Sequence, residues 1–470
     1  MTFKERHIHF VGIGGIGMSG IARMLLAEGK TVSGSDLAES PVTRALASAG
    51  ADVKVPQSAG NVAEGTDLVV ISAAIKPDNV EVLEATRRGV PVQKYAEVLG
   101  RLMNARRGIA VSGTHGKTTT TAMIATVLQH AGLDPSFVVG AAVGPLGGSS
   151  GVGAGEHFVV EACEYDRSFH HLRPHCAVIN NVEEDHLDYY TGGLDEIVAS
   201  FGVFASQVRP EGLLVANHGD ANVARAVAAA ETACRVETFG LEDAEADWSE
   251  TALRPSRGVF QFDVRCGAED LGTFELGIPG RHNVSNALAA LACCRWAGVD
   301  ARAARAALRT FRGAERRFQI VGEAGGVTVV DDYAHHPSEI RETLWAARGF
   351  FPGRRLLVVF QPHQHSRTRF LLADFAASFD DADAVWVPEI YFVRDSESER
   401  QQVTSSDLVD AMKAHGKTCH DLASFDAIVA HLGAALRPGD VVITMGAGDV
   451  NRIGGILLAD LTKPGSQEKA

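Results

Sequence analysis

Residues 109–121, IAVSGTHGKTTTT, combine a short apolar strand, a glycine loop and the start of a threonine-rich helix. Backbone N–H groups at such a helix N-terminus attract anions, and a lysine after the second glycine reaches the β- and γ-phosphates of a nucleotide. The usual phosphate loop has its first glycine where this chain has Val111, so the loop here is shorter and begins at Gly113. We predict nucleoside triphosphate binding, with Lys117 on the phosphates and the Thr118 hydroxyl on Mg²⁺.

A second unit of strand, glycine loop and helix opens the chain, with GIGGIG at residues 12–17. The pattern fits the dinucleotide fingerprint, and Asp36 follows about 20 residues later at the end of the next strand. This favours a nucleotide diphosphate without separating a nicotinamide dinucleotide from a UDP-sugar, because both carry a pyrophosphate and a ribose. A glycine turn that serves only tight packing stays the alternative.

Strand and helix signals alternate along the chain, which is typical of parallel α/β sheets. At roughly 150 residues a domain, the 470 residues suggest about three domains. We place linkers at the basic stretches 100–108 and 312–317, and we expect a small antiparallel excursion in the acidic segment 236–277. The expected fold is α/β in three domains: an N-terminal Rossmann-like parallel sheet (1–106), a central P-loop ATPase-type α/β domain (107–314) and a C-terminal Rossmann-like α/β domain (315–470).

Composition excludes several classes of protein. With 44 Lys and Arg against 58 Asp and Glu, the net charge is −14, which argues against broad nucleic-acid binding. No uncharged apolar run reaches the length of about 18 residues that a membrane span needs. The seven cysteines include no C-x-x-C pair, so we expect reduced thiols in a cytoplasmic protein rather than disulfides or zinc.

Polar residues follow several predicted strands, at the sheet edge where α/β proteins bind ligands. Glu161 is either a Mg²⁺ ligand or a solvated strand end, and His186 by itself is more often a hydrogen-bonded loop residue. Residues 331–337, DDYAHHP, hold two acids, a tyrosine and two histidines, but the absence of a cysteine and of an H-x-x-x-H helix argues against zinc. In residues 361–368, Arg367 has the chemistry to clamp a carboxylate. Ordinary capping and turn chemistry is the alternative for each cluster.

Together these segments resemble the Mur ligase family of ATP-dependent amide-forming enzymes, over nearly the whole chain and in the family's order. The resemblance is carried by HFVGIGGIGMSGIA (9–22), SGTHGKTTTT (112–121), VEACEYDRSF (160–169), NNVEEDHLDYY (180–190), GRHNVSNALAA (280–290), RRFQ (316–319), DDYAHHPSE (331–339), FQPHQHSRT (360–368) and MGAGD (445–449).

The resemblance implies a reaction that uses ATP to join L-alanine to the lactyl carboxylate of UDP-N-acetylmuramate, through an acyl phosphate, in peptidoglycan precursor synthesis. Carboxylate and γ-phosphate are both anions, so a lysine, an arginine and Mg²⁺ would offset their repulsion. Three alternatives stay open: a related ligase that attaches a preformed peptide to UDP-N-acetylmuramate, a nicotinamide dehydrogenase fused to an ATPase, and a non-catalytic nucleotide sensor.

The resemblance also implies the site residues. The catalytic set would be Lys117, Glu161, His186 and Arg317, and the metal ligands Thr118, Glu161 and His186. ATP would be held by Gly113, Thr114, His115, Gly116, Lys117, Thr118, Thr119, Asn283, Arg317 and Asp332. The UDP-substrate and the amino acid would be held by Gly12, Gly14, Gly15, Gly17, Asp36, Ser72, His335, His363 and Arg367.

The sequence departs from the family pattern at two points. The family usually has P-H-R-Y-S-R-T where residues 362–368 read PHQHSRT, so one arginine is replaced and carboxylate binding falls to Arg367. Several sibling ligases carry a carbamylated lysine shortly after the D-H motif. Because no lysine occurs between Asp188 and Arg209, we predict no carbamylated residue here.

Overall fold

The N-terminal sheet consists of short buried strands that alternate with helices. The computed structural model describes residues 3–256, 258–393 and 395–463. Five parallel strands have the order β3-β2-β1-β4-β5. The chain first adds strands on one side of β1 and then, from β4, on the other, and this switch point lies beside the first glycine loop. The strands are β1 (His7–Val11), β2 (Thr31–Ser35), β3 (Asp52–Lys54), β4 (Leu68–Ile71) and β5 (Val92–Lys94). The helices are α1 (Ile16–Ala27), α2 (Pro41–Ser48), α3 (Val80–Arg88) and α4 (Tyr95–Asn104).

The central sheet has ten strands in the order β15-β14-β13-β12-β11-β10-β6-β9-β7-β8. They are β6 (Arg107–Ser112), β7 (Ser136–Val143), β8 (Gly148–Gly151), β9 (His157–Glu161), β10 (Cys176–Ile179), β11 (Leu213–Asn217), β12 (Arg235–Gly240), β13 (Trp248–Ser256), β14 (Val259–Cys266) and β15 (Glu269–Glu275). The helices are α5 (Lys117–His130), α6 (Gly193–Ser206), α7 (Ala221–Ala229), α8 (Arg281–Trp296) and α9 (Ala301–Thr310). The expected antiparallel excursion is confirmed for β13–β15, whereas β12 pairs in parallel.

The C-terminal sheet has six strands in the order β16-β17-β21-β18-β19-β20, all parallel except the edge strand β16. They are β16 (Gln319–Ala324), β17 (Val327–Asp332), β18 (Leu356–Phe360), β19 (Ala384–Val387), β20 (Cys419–Asp421) and β21 (Val441–Met445). The helices are α10 (Pro337–Phe350), α11 (His365–Phe370), α12 (Leu372–Ala376), α13 (Glu397–Arg400), α14 (Ser405–Ala414), α15 (Phe425–Ala435) and α16 (Asn451–Leu461). The α/β fold with three sheets is therefore confirmed.

The linker predicted at residues 100–108 is wrong. Helix α4 continues to Asn104 and strand β6 begins at Arg107. Leu102 and Met103 are buried in an apolar cluster that extends from the N-terminal sheet into the central one. The basic residues that suggested a linker are half-buried and pair with carboxylates: Arg101 with Glu5, Arg106 with Glu28 and Arg107 with Glu156.

The segment predicted as the second linker, residues 312–317, is neither helix nor strand, as expected. From the sequence, residues 463–470 are expected to form a frayed tail, and all of them but Lys463 lie outside the described residues. No helix in the described ranges has the length and hydropathy to cross a bilayer.

Candidate functional site

The second glycine loop joins β6 to α5 and is fixed by an asparagine that follows β10. The Thr114 and His115 backbone N–H groups donate to Asn181, at 3.0 Å to its carbonyl and 2.7 Å to its side chain. Gly116 has φ +79°, and a Cβ there would lie 2.5 Å from the Asn286 Oδ1 atom, so only glycine fits. The Asn181 contacts and the glycine-only turn at Gly116 therefore fix the backbone of this loop.

Lys117 lies inside this loop with its charge already matched. Its Nζ donates to the Gly113 and Thr114 carbonyls and lies 2.9 Å from a Glu164 carboxylate oxygen. Burial alone would lower the pKa of Lys117, but the Glu164 charge, together with its hydrogen bond and the charge of Glu161, raises that pKa. The same pair lowers the pKa of Glu164 against its own burial. The sequence analysis gave Glu164 no role, although it lies only three residues beyond Glu161, the last residue of β9.

The three predicted metal ligands lie around Lys117. Glu161 accepts a hydrogen bond from the Gly140 N–H, and burial raises its pKa despite the nearby cations. The His186 Nε2 atom lies 3.6 Å from Glu164, while its buried Nδ1 atom has no hydrogen-bond partner among the described residues. An incompletely compensated carboxylate, a hydroxyl on Thr118 and an orphaned imidazole nitrogen suit a divalent cation.

Arg317 and Asp332 reach this site from the C-terminal side. The Arg317 Nη2 atom is 3.4 Å from the Thr118 hydroxyl. Asp332 accepts 2.7 Å hydrogen bonds from the Phe318 and Ala334 N–H groups, and burial raises its pKa to about 6. Both residues line a cavity of about 580 Å³ between the central and C-terminal sheets. Its walls also include His115, Gly116, Thr119, Ile278, Pro279, Asn283 and Asn286.

The carboxylate clamp predicted at Arg367 already holds a carboxylate of the protein. Arg367 donates from Nε and Nη2 to one oxygen of Asp185, at 3.0 and 2.9 Å, and both side chains are buried. Burial would raise the pKa of Asp185, but the Arg367 charge holds it well below its usual range. The third guanidinium nitrogen lies 3.2 Å from His363 Nδ1. Sequence reasoning missed Asp185 as a partner, since the pair joins residues 182 positions apart.

Glu339 connects the glycine loop to the C-terminal sheet. One carboxylate oxygen lies 3.2 Å from His115 Nδ1 and the other 3.1 Å from His335 Nδ1. Burial would lower the pKa of His115, but Glu339 and Glu183 together raise it to about 9. The predicted ATP residue His115 and the predicted substrate residue His335 thus share one carboxylate, which the sequence analysis gave no role.

The first glycine loop lies on a different sheet and is built differently. Gly12 has φ +79°, and the Gly14 N–H donates to Asp36 at 2.8 Å, so this acid bonds the loop itself. A Cβ on Gly17 would meet the Tyr95 ring at 2.6 Å. Burial, and then the charge of Glu161, raise the pKa of Tyr95. Tyr95 was not identified from the sequence.

The structure thus brings the predicted ATP and metal residues together with His335, His363 and Arg367 at one crevice. The remaining predicted substrate residues, Gly12, Gly14, Gly15, Gly17, Asp36 and Ser72, lie at the N-terminal sheet. Each of these six residues follows the carboxyl end of a strand or lies at the start of the helix after it.

Comparisons with known proteins cover most of the chain. Residues 7–107 match the Mur ligase family, catalytic domain; residues 111–294 match the Mur ligase middle domain; residues 316–448 match the Mur ligase, glutamate ligase domain. A UDP-N-acetylmuramate–L-alanine ligase of Caldanaerobacter subterraneus subsp. tengcongensis is 44% identical, over 96% of this chain and 97% of that protein.

Two solved structures are similar over nearly their full length. The UDP-N-acetylmuramate-alanine ligase of Thermotoga maritima has a TM-score of 0.81 at 30% identity, covering 97% of this chain and 98% of that one. A murein peptide ligase of Psychrobacter arcticus has a TM-score of 0.73 at 28% identity, with the same coverage. The chain belongs to the Mur ligase family.

Proposed function

We propose that this chain uses ATP to join L-alanine to the lactyl carboxylate of UDP-N-acetylmuramate, in peptidoglycan precursor synthesis. The family uses ATP, and the relative at 44% identity carries the name of that reaction. The observation that carries the proposal is the single crevice in which the Lys117 loop, the Glu161 carboxylate and the Arg317 guanidinium converge. Because the substrates are an ATP and a UDP-sugar, we place the reaction in the cytoplasm.

We assign one task to each predicted domain. Residues 1–106 would bind the UDP-substrate through Gly12, Gly14, Gly15, Gly17, Asp36 and Ser72. Residues 107–314 would bind ATP through Gly113, Thr114, His115, Gly116, Lys117, Thr118, Thr119 and Asn283. Residues 315–470 would complete the ATP site with Arg317 and Asp332 and bind the amino acid with His335, His363 and Arg367. The cavity between the central and C-terminal sheets is large enough for a nucleotide.

We assign Mg²⁺ to Thr118, Glu161 and His186, where the donors fit a divalent cation. When bound there, it would offset the charge of the phosphates and of the attacking carboxylate. No lysine lies between Asp188 and Arg209, so the absence of a carbamylated ligand stays a prediction, which a density map of the metal site would test.

The chain's own cations would carry the first step. The substrate carboxylate must approach the γ-phosphate, and the repulsion between these anions is opposed by Lys117 and Arg317. The phosphates would draw the Lys117 ammonium away from Glu164, which keeps it charged until then. The alanine amine would then displace phosphate from the acyl phosphate, with the three substrates held in line.

Arg367 would position the amino acid only in part, because Asp185 takes two of its donors. The Nη1 group, which lies beside His363, does not bond Asp185 and would be the part of Arg367 that binds the amino acid. With Gln364 in the place of the family's arginine, a related ligase that attaches a preformed peptide is the second candidate, and the murein peptide ligase similarity fits it.

The test is phosphate release from ATP with UDP-N-acetylmuramate and each of L-alanine, L-serine, glycine and a tripeptide. We expect release only when the UDP-substrate is present, fastest with L-alanine. Preference for the tripeptide would select the second candidate. Release that depends on neither acceptor would contradict both.

A further inference from the structure

Three side chains near the phosphate loop converge outside the Mg²⁺ ligands assigned above. They are His115 on the loop, Glu183 after β10, and His336 at the start of α10, and their ligand atoms all lie within 4.8 Å of one another. His115 Nε2 is 3.6 Å, and His336 Nδ1 3.8 Å, from the same Glu183 oxygen. Neighbouring ligands of a tetrahedral Zn²⁺ lie about 3.3–3.5 Å apart, given bond lengths of about 2.0–2.2 Å. The two separations to Glu183 need only a small contraction, and the two histidine nitrogens lie within 4.8 Å of each other.

The outer nitrogen of each histidine already faces an oxygen. His115 Nδ1 lies 3.2 Å from the Glu339 carboxylate, and His336 Nε2 lies 3.2 Å from the Glu184 carbonyl. Zinc-bound histidines almost always donate their other N–H to a carboxylate or carbonyl, which fixes the ring and the tautomer. The Glu184 carbonyl holds the His336 ring in this way, whereas His115 Nδ1 lies close to Glu339 without a hydrogen bond between them.

The charge balance also favours a cation. His115 lies between Glu183 and Glu339, and an ion bound at its Nε2 would take the place of the proton that these carboxylates stabilise. Two contacts involve the proposed ligand atoms, and only the first must yield: the Ser338 N–H lies 3.3 Å from His336 Nδ1, and the Ser338 hydroxyl donates to Glu183 at 2.5 Å. The first is long for a hydrogen bond, and a carboxylate oxygen can accept a hydroxyl while it binds a metal.

We propose that His115, Glu183 and His336 form a second metal site, for a divalent ion of the zinc class. Two imidazoles and one carboxylate suit Zn²⁺ or Co²⁺ and disfavour Mg²⁺, which prefers oxygen ligands. His115 and Glu183 also line the cavity, so the fourth position opens toward it. The bound ion would fasten the phosphate loop to helix α10 of the C-terminal sheet.

The test uses the full chain, freed of metal with a chelator and then titrated with Zn²⁺ in excess Mg²⁺ against a chromophoric competitor. We expect one high-affinity site for each chain. Glu183→Gln and His336→Asn should each weaken binding by at least about ten-fold. Asparagine can still cap α10, so the second variant keeps the helix start. His420→Ala, which breaks up the His420–His431 ring pair elsewhere, is the matched control and should change nothing.

Co²⁺ provides a measurement on the unaltered chain. Bound at this site it should show the visible absorption of a four-coordinate ion with nitrogen and oxygen ligands. A thiolate charge-transfer band, a six-coordinate spectrum, or Zn²⁺ affinity that survives Glu183→Gln and His336→Asn would overturn the proposal. Loss of the site in His420→Ala would overturn it as well.

Discussion

The two glycine loops share a backbone plan but differ in charge. Both follow a buried strand and open a helix, at Ile16 and at Lys117. The first loop offers backbone N–H groups and bonds an acid of its own sheet, Asp36. The second is surrounded by cations and carboxylates from two sheets, among them Lys117 and Glu164. This difference suits the first loop to substrate binding and the second to catalysis. Backbone dipoles are enough to bind an anion, whereas charge that develops during a reaction needs cations placed beside it.

Lys117→Ala removes the cation of the second loop, and of these variants it should have the largest effect. We expect turnover to fall at least about 10³-fold, because the charge that develops on the γ-phosphate would lose the buried Lys117 ammonium. Binding of the UDP-substrate, measured by calorimetry, should stay within about two-fold of the unaltered chain. The exposed Lys413→Ala is the control, and joint loss of both properties would contradict separate sites.

Asp185→Asn tests how the crevice of the second loop is held together. It leaves the buried Arg367 guanidinium without its counter-charge, which costs about 3–5 kcal/mol when such a pair is broken. The unfolding midpoint should fall clearly. Asp195→Asn, which breaks the exposed pair with Arg225, should leave it nearly unchanged. Equal shifts of the unfolding midpoint in the two variants would show that the buried pair stabilises the fold no more than the exposed one.

Asp332→Asn sharpens the electrostatic side of the comparison. The pKa of Asp332 is raised from 3.8 to about 6 by burial, so between those pH values the folded chain keeps a proton that the unfolded chain has lost. Stability must therefore fall as the pH rises through this window, by about 3 kcal/mol from this group. Without that group, the variant should gain stability relative to the unaltered chain from pH 4 to pH 7. Parallel unfolding midpoints across this range would contradict the assignment.

Gly17→Ala breaks the first loop and has the smallest expected effect. The added methyl group meets the Tyr95 ring, which must shift. We expect the KM for the UDP-substrate to rise about ten-fold, or about 1.4 kcal/mol, with ATP binding unchanged. Gly349→Ala, where a Cβ meets nothing within 4 Å, is the control. Weakened ATP binding in the first variant alone would show that the loops are coupled.

Local sequence predicted the strands and the two loops well, because apolar runs and glycines act within a few residues. In residues 109–121, the apolar run lies in β6 and the threonine-rich helix begins at Lys117, as predicted. The linker prediction at residues 100–108 was wrong because basic residues obscured a helix whose apolar face is buried. Partners such as Glu164 and Glu339 escaped notice because pairing across strands and domains depends on the fold. The same holds for the proposed zinc-class site: residues 331–337 alone argued against zinc, and the proposed ligands come from three separate segments.

The most direct test of the account follows one oxygen atom through the reaction. UDP-N-acetylmuramate labelled with ¹⁸O in its lactyl carboxylate is converted with ATP and L-alanine, and the released phosphate is examined by mass spectrometry. If the carboxylate attacks the γ-phosphate at Lys117 and the amine then displaces phosphate, each phosphate formed must carry one ¹⁸O atom. Phosphate without label, released in proportion to product, would contradict the acyl-phosphate route and the role given to the second glycine loop.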